Sequence, residues 1–165
     1  MSKRTAYEEA MRYLATRMRT ENEVRDRLSE KEYEDPEISE AIEELKLLRY
    51  IDDAEYSEAY FRYATEKGRA KRRIFAELKE KGIEDPGLEN RYADFLAERG
   101  TTERDAALAV AKKEIEADPY AAKKDVSKTL AKIGRKLDSL GYTGDTIYGV
   151  SEEIKTWIST TEQED

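Results

Sequence analysis

Arg69, Lys71, Arg72 and Arg73 place four cations within five residues, the densest reactive chemistry in the chain. Arginine presents planar, paired donors that match a carboxylate or a phosphate, so such a cluster suits the docking of anions of either kind. On one continuous helix Arg69, Arg72 and Arg73 would share a side at i, i+3 and i+4, with Lys71 pointing elsewhere. A second basic face is spelled by Lys124, Lys128, Lys132 and Arg135, spaced by 4, 4 and 3, with Lys123 beside it. For both groups the plain alternative is a solvated helix face.

Other chemistry is thinly represented. The chain has no histidine and no cysteine, which removes the usual general base, the commonest transition-metal ligands and any disulfide. Asp52-Asp53 offers two carboxylates without further ligands, which suits a helix cap better than a metal site. Tyr56, Tyr60 and Tyr63 recur at helical spacing and are expected in a core, although beside basic residues they could stack bases. Phe61 falls off that stripe. No glycine-rich phosphate loop is present. No catalytic activity, metal or cofactor is expected. The cysteine-free composition fits a reducing cytosol. There is no apolar run near the roughly 20 residues of a membrane span. The start, MSKRTAYEEAMRYL, lacks the apolar centre of a secretory signal. A cytoplasmic protein is expected.

The elements that must carry these groups are helices. Charged residues are 41% of the chain and hydrophobic ones 38%, a composition that fits small modules in a row better than one thick domain. The net charge is −8, but it is segregated. Residues 67–81 hold seven basic and two acidic side chains, residues 106–136 eight and four, and residues 138–165 one and seven. Thr5 with Glu8, Thr20 with Glu23 and Asp52 with Glu55 have capping-box spacing. Asp35-Pro36 and Asp85-Pro86 read as helix starts, and Asp118-Pro119 as the start of one longer helix. The phrases KEYEDPEI (31–38) and KGIEDPGL (81–88) repeat at an offset of 50, with Val24, Leu28 and Ile38 matching Ile74, Leu78 and Leu88. A weaker copy follows at an offset of 59, where Ile133, Leu137, Gly141, Tyr142 and Ile147 match Ile74, Leu78, Gly82, Ile83 and Leu88, and Asp145 takes the capping role. Glu32 stands where the later copies have glycine, so its turn is either irregular or strained. The expectation is an all-α fold of nine helices in three tandem three-helix repeats (1–50, 51–100 and 101–160), forming an elongated, curved body with an acidic tail at 161–165. The stretch AERGTT around Gly100 is the expected junction between the second and third repeats.

Residues 49–86 carry Tyr50-Ile51-Asp52-Asp53, Tyr56, Arg72-Arg73-Ile74, Glu77-Leu78 and Lys81-Gly82-Ile83 in that order. This run resembles the centre of the RecX regulatory proteins of bacteria, and the resemblance extends over about 5–158. One departure is Ala70-Lys71, where the family often has Gly-Pro ahead of Arg-Arg-Ile. The resemblance implies tandem three-helix repeats and a monomeric modulator of the RecA recombinase. Such a protein docks along the RecA–single-stranded-DNA filament, blocks extension or promotes disassembly, and damps ATP hydrolysis, strand exchange and co-protease signalling. The residues expected to contact filament or DNA are Arg69, Lys71, Arg72, Arg73, Lys124, Lys128, Lys132 and Arg135. The alternative reading is a stand-alone nucleic-acid-binding module, since three-helix units resemble helix-turn-helix readers. The acidic net charge weighs against it.

Overall fold

A computed structural model describes residues 2–161, and their regular structure is helical throughout. In chain order the helices are α1 (Ala6–Leu14), α2 (Glu21–Glu30), α3 (Asp35–Leu47), α4 (Asp53–Glu66) and α5 (Lys71–Glu80), then α6 (Leu88–Glu98), α7 (Glu103–Ala117), α8 (Pro119–Lys124), α9 (Val126–Leu140) and α10 (Gly144–Thr161). Beyond Thr161 the expected acidic tail lies outside the described residues.

The helix starts follow from short polar side chains that accept otherwise unpaired N–H groups. Thr5 and Thr20 accept from the N–H groups of Glu8 and Glu23 at 3.2 and 3.1 Å, and both glutamates accept in return from the threonine N–H. Asp52 accepts from Glu55 N–H at 3.1 Å and opens α4. Asp53 serves a different helix, accepting from Glu21 N–H, the first of α2, at 2.9 Å. Burial pushes the Asp53 carboxyl pKa up, against that hydrogen bond.

Four starts depart from the sequence expectation. In α3, Asp35 is already helical, and Glu37 accepts from the preceding Glu34 N–H at 3.0 Å. Asp85 accepts from Gly87 N–H at 2.8 Å in a tight turn, so α6 begins only at Leu88. Thr143 rather than Asp145 precedes α10, its hydroxyl accepting from Thr146 N–H at 3.4 Å. The helix opened by Asp118 stops at Lys124, because Asp125 (φ −141, ψ 87) leaves the helical region and caps α9 through Lys128 N–H at 3.0 Å. The single long helix is therefore two, giving ten helices among the described residues rather than nine.

Six helices end identically. Glu32, Arg49, Gly68, Gly82, Gly100 and Gly141 have φ of 65, 61, 78, 84, 62 and 99°. In each case the next N–H returns to a carbonyl five residues back: Tyr33 to Leu28, Tyr50 to Leu45, Arg69 to Ala64, Ile83 to Leu78, Thr101 to Leu96 and Tyr142 to Leu137, all within 2.9–3.2 Å. The sequence offsets of 50 and 59 thus reappear as one hydrogen bond, made from Tyr33, Ile83 and Tyr142. The turn at Glu32 is regular, and its residue carries the strain.

The chain divides into two compact units, residues 1–60 with 76–88, and residues 61–75 with 89–165. Val24, Leu28, Ile42 and Leu45 are fully buried at the centre of the first unit, and Ala107, Ala111, Leu137, Val150 and Ile154 at that of the second. Each unit contains the same junction. In the first, the Thr20 hydroxyl donates to the Lys81 carbonyl at 2.7 Å, and Gly82 lies so close to Asn22 that an added Cβ would fall 2.3 Å from Asn22 Cβ. In the second, Ala70 N–H donates to the Leu140 carbonyl at 2.8 Å, and a Cβ on Gly141 would fall 2.8 Å from Arg73 N. In each unit the start of one helix, α2 or α5, receives the end of a later one, α5 or α9.

A left-handed residue bearing a side chain costs roughly 1 kcal/mol relative to glycine. Glu32→Gly is therefore expected to stabilise the protein by about 1 kcal/mol. Gly141→Ala should destabilise it by about 2 kcal/mol or more, since strain and overpacking add. Urea unfolding midpoints check both. A Gly141→Ala variant no less stable than Gly100→Ala, whose site has no atom within 4 Å of an added Cβ, would refute the junction's close packing.

Candidate anion-docking surface

All eight cations singled out from the sequence belong to the second unit. The first helical residue of α5 is Lys71, so Arg69 lies in the preceding turn and not on a shared helical face with Arg72 and Arg73. It is half-buried, its guanidinium 5.4 Å from the centre of the Tyr63 ring. The Lys71 N–H donates to Glu103 Oε1 at 2.5 Å, and its ammonium pairs with Glu89 at 3.1 Å. Glu103 Oε1 also accepts from the Tyr92 hydroxyl at 3.0 Å, so one carboxylate oxygen joins the start of α5 to α6.

Arg72 and Arg73 face the C-terminal end of α9. Arg72 Nη2 lies 3.3 Å from the Asp138 carbonyl and 3.5 Å from its carboxylate, and Arg73 Nη1 lies 3.2 Å from the Ser139 carbonyl. With Ala70 N–H on Leu140, three successive terminal carbonyls of α9 have partners from one corner of the chain. Cations are also favoured there by the negative end of the helix dipole. Both arginines thus have a structural role. The Arg72 side chain is still 61% exposed, and a guanidinium has five N–H donors, so outward-facing capacity remains.

The second basic face is divided by the break at Asp125: Lys124 ends α8, whereas Lys128, Lys132 and Arg135 lie on α9. Lys124, Lys128 and Lys132 line one groove of about 440 Å³ together with Glu114, Asp118 and Asp125, and Arg135 is exposed outside its lining. Glu114 pairs with Lys132 at 3.5 Å and with Lys136. The Lys136 hydrogen bond holds the Glu114 carboxyl below the usual carboxylate range. Ser139 continues the stripe of Lys128, Lys132 and Arg135 by a further step of four, and its carbonyl accepts from Arg73. The two basic groups are therefore linked along α9, about 16 Å from Lys128 to Ser139 at 1.5 Å per residue.

The aromatic residues reverse the sequence reading in part. Phe61 is fully buried, its ring centre 5.2 Å from Tyr92, 5.6 Å from Phe95 and 6.5 Å from Phe75. Tyr56 is buried, Tyr60 bonds Glu77 through its hydroxyl, and Tyr63 is 48% exposed beside Lys67 and Arg69. The stripe misleads because α4 contributes to both units, Tyr56 and Tyr60 to the first, Phe61 and Ala64 to the second. Tyr142 was legible only as a repeat position. Its hydroxyl donates to the Gly68 carbonyl at 2.9 Å, which explains a tyrosine where the second repeat has Ile83. Burial pushes the Tyr142 phenol up to about 12, and burial with Glu103 raises Tyr92 as well. Among the described residues no group of three or more acidic side chains is placed to hold a metal ion, and no helix is long and apolar enough to cross a membrane.

Comparison with known proteins places these elements in context. Residues 6–45 match the family model described as the first three-helix domain of RecX, and residues 52–86 match the second. A regulatory protein RecX of Bacillus velezensis is 41% identical over 91 residues, covering 54% of this chain and 35% of that protein. Its Bacillus subtilis counterpart is 29% identical over 150 residues, covering 90% and 54%. The chain spans between about a third and a half of the length of these curated relatives. A crystal structure of RecX from Lactobacillus salivarius superposes with a TM-score of 0.73 at 26% identity, over 92% of this chain and 95% of that one. A second crystal structure, of a regulatory protein RecX, gives 0.69 at 21% identity, over 89% and 70%.

The Tyr142 phenol yields a pH dependence. Its folded pKa of about 12 exceeds the ordinary 10.0, so its contribution is complete below pH 10 and is lost as pH rises toward 12. Tyr142→Phe should cost about 1 kcal/mol at neutral pH through the lost hydrogen bond. The same variant should flatten the alkaline fall in urea midpoint between pH 10 and 12. An identical alkaline slope in both proteins would exclude Tyr142 as a source of that loss.

Proposed function

The chain belongs to the RecX family, and we propose that it binds the RecA–single-stranded-DNA filament and restrains ATP hydrolysis, strand exchange and co-protease activity by blocking extension or promoting disassembly. The carrying observation is the match of two successive RecX domain models over 6–45 and 52–86. The charge distribution supports it. A net charge of −8 disfavours indiscriminate phosphate binding, so protein contacts supply most of the affinity and the clustered cations orient the chain on a polyanion.

In this reading the eight cations have unequal parts. Lys124, Lys128, Lys132 and Arg135 are exposed and meet the filament directly. Arg72 and Arg73 hold the α4–α5 corner against α9, Lys71 ties it to Glu89 and Glu103, Arg69 lies over Tyr63, and the exposed Arg72 side chain faces outward. The chain acts as a monomer, in the cytoplasm, without a cofactor.

Purified protein is expected to suppress DNA-dependent ATP hydrolysis by the cognate RecA. No change at several-fold excess over RecA overturns the proposal, and tight, steeply salt-dependent binding to naked DNA in its place favours a stand-alone nucleic-acid module. Changing Lys128, Lys132 and Arg135 together to Glu should weaken inhibition roughly tenfold while leaving the unfolding midpoint nearly unchanged. Neutralising Arg69, Arg72 and Arg73 together should weaken inhibition with helicity retained but at a lower midpoint. Full inhibition by both variants removes these residues from the site.

A further inference from the structure

Arg99 has no part in the surface described above, yet its surroundings are specific. It lies just past α6, where Gly100 takes the left-handed turn and Thr101 N–H returns to the Leu96 carbonyl at 3.2 Å. The guanidinium sits over the Phe95 ring, 4.3 Å from its centre. Phe95 is buried, whereas Arg99 is exposed, so the guanidinium covers the ring from the solvent side. A charge serving only the end of α6 could equally be lysine; a planar group laid on a ring could not.

Arg99 and Arg69 border one groove of about 230 Å³, with Glu66, Tyr92, Phe95, Glu103 and Tyr142 in its lining. Arg69 in turn sits over Tyr63, so two arginine-on-aromatic pairs border a single opening. The two phenol hydroxyls are engaged internally, Tyr92 with Glu103 and Tyr142 with the Gly68 carbonyl. Both phenol rings are buried, so the flat face open to a ligand is that of Arg99. Lys67, exposed and also beside the Tyr63 ring that Arg69 covers, adds a further cation two residues from Arg69. A flat π-system joined to an anion fits such a place, and a nucleotide combines the two.

We propose that this groove is a nucleobase subsite: one base of a single strand stacks on the solvent-facing side of Arg99, with the strand's phosphates toward Arg69 and Lys67. Bases within a duplex are already stacked, so the groove selects single strands. The inference rests on the filament reading, in which single-stranded DNA is part of the partner, and names a contact within it.

The test compares fluorescent oligothymidylate, an abasic strand of equal length and a duplex, each titrated with the wild-type protein, Arg99→Lys and Arg99→Ala. The wild type is expected to prefer the base-bearing strand over the abasic one by about 5- to 10-fold. Arg99→Lys keeps the charge and should abolish most of that preference while leaving abasic binding and the urea midpoint unchanged; Arg99→Ala should lose the preference too and weaken abasic binding. A preference that survives in Arg99→Lys, or is absent in the wild type, overturns the proposal. So does binding of an acidic, phenylalanine-bearing peptide without any oligonucleotide binding, which would assign the groove to a protein side chain. RecA-dependent ATP hydrolysis is read in parallel. A base preference without effect on RecA retains the subsite and overturns the filament reading, and RecA suppression without a base preference does the reverse.

Discussion

A helix that ends inside a protein leaves its last carbonyls without intrahelical partners, and the second unit is organised around answering that need at the end of α9. The carbonyls of Asp138, Ser139 and Leu140 are met by Arg72, Arg73 and the Ala70 N–H. The left-handed turn at Gly141 then lets the chain pass against the Arg73 backbone, and the Tyr142 hydroxyl closes onto Gly68. The contacts converge on one close approach: a Cβ at position 141 would fall 2.8 Å from Arg73 N, at the corner whose guanidiniums meet the carbonyls. The arrangement positions α9, and with α9 the stripe of Lys128, Lys132 and Arg135.

The first unit solves the same problem with different chemistry. There a threonine hydroxyl meets the carbonyl at the end of α5, and Asn22 occupies the place that Arg73 has in the second. A neutral hydroxyl is sufficient to satisfy a carbonyl. Two arginines at the second junction therefore exceed what the backbone requires. Their added positive charge, carried on an Arg72 side chain that is still mostly exposed, separates the pair from a purely structural cap.

Much of the fold was legible because its signals are local. The capping boxes at Thr5 and Thr20 need only four residues, and the repeat at offsets of 50 and 59 marks equivalent helix ends from spacing alone. The failures have local causes as well. Asp125 reads as a helical residue because the apolar spacing of Val126, Leu130 and Ile133 continues smoothly after it, and a cap that interrupts one helix while starting the next leaves no gap in that pattern. Spacing alone puts Arg69 on the face of Arg72 and Arg73, but spacing describes a face only where the chain is helical. The partners of the arginines lie 66 residues away, where no local pattern reaches.

The charge pattern links these observations. Lysines along α9 face Glu114, Asp118 and Asp125 across their groove, so an incoming phosphate must compete with carboxylates already present. Pairs this exposed each contribute little, within about 1 kcal/mol, and are weakened by salt. They restrain weak, unspecific polyanion contacts more than they oppose a partner that brings its own protein surface. An acidic chain whose two clustered basic groups both lie in one unit is in this way suited to a target that combines protein with phosphate, and poorly suited to bare nucleic acid. The Arg99 groove adds selectivity of a kind that charge alone cannot provide, because stacking discriminates an exposed base from a paired one at equal phosphate density.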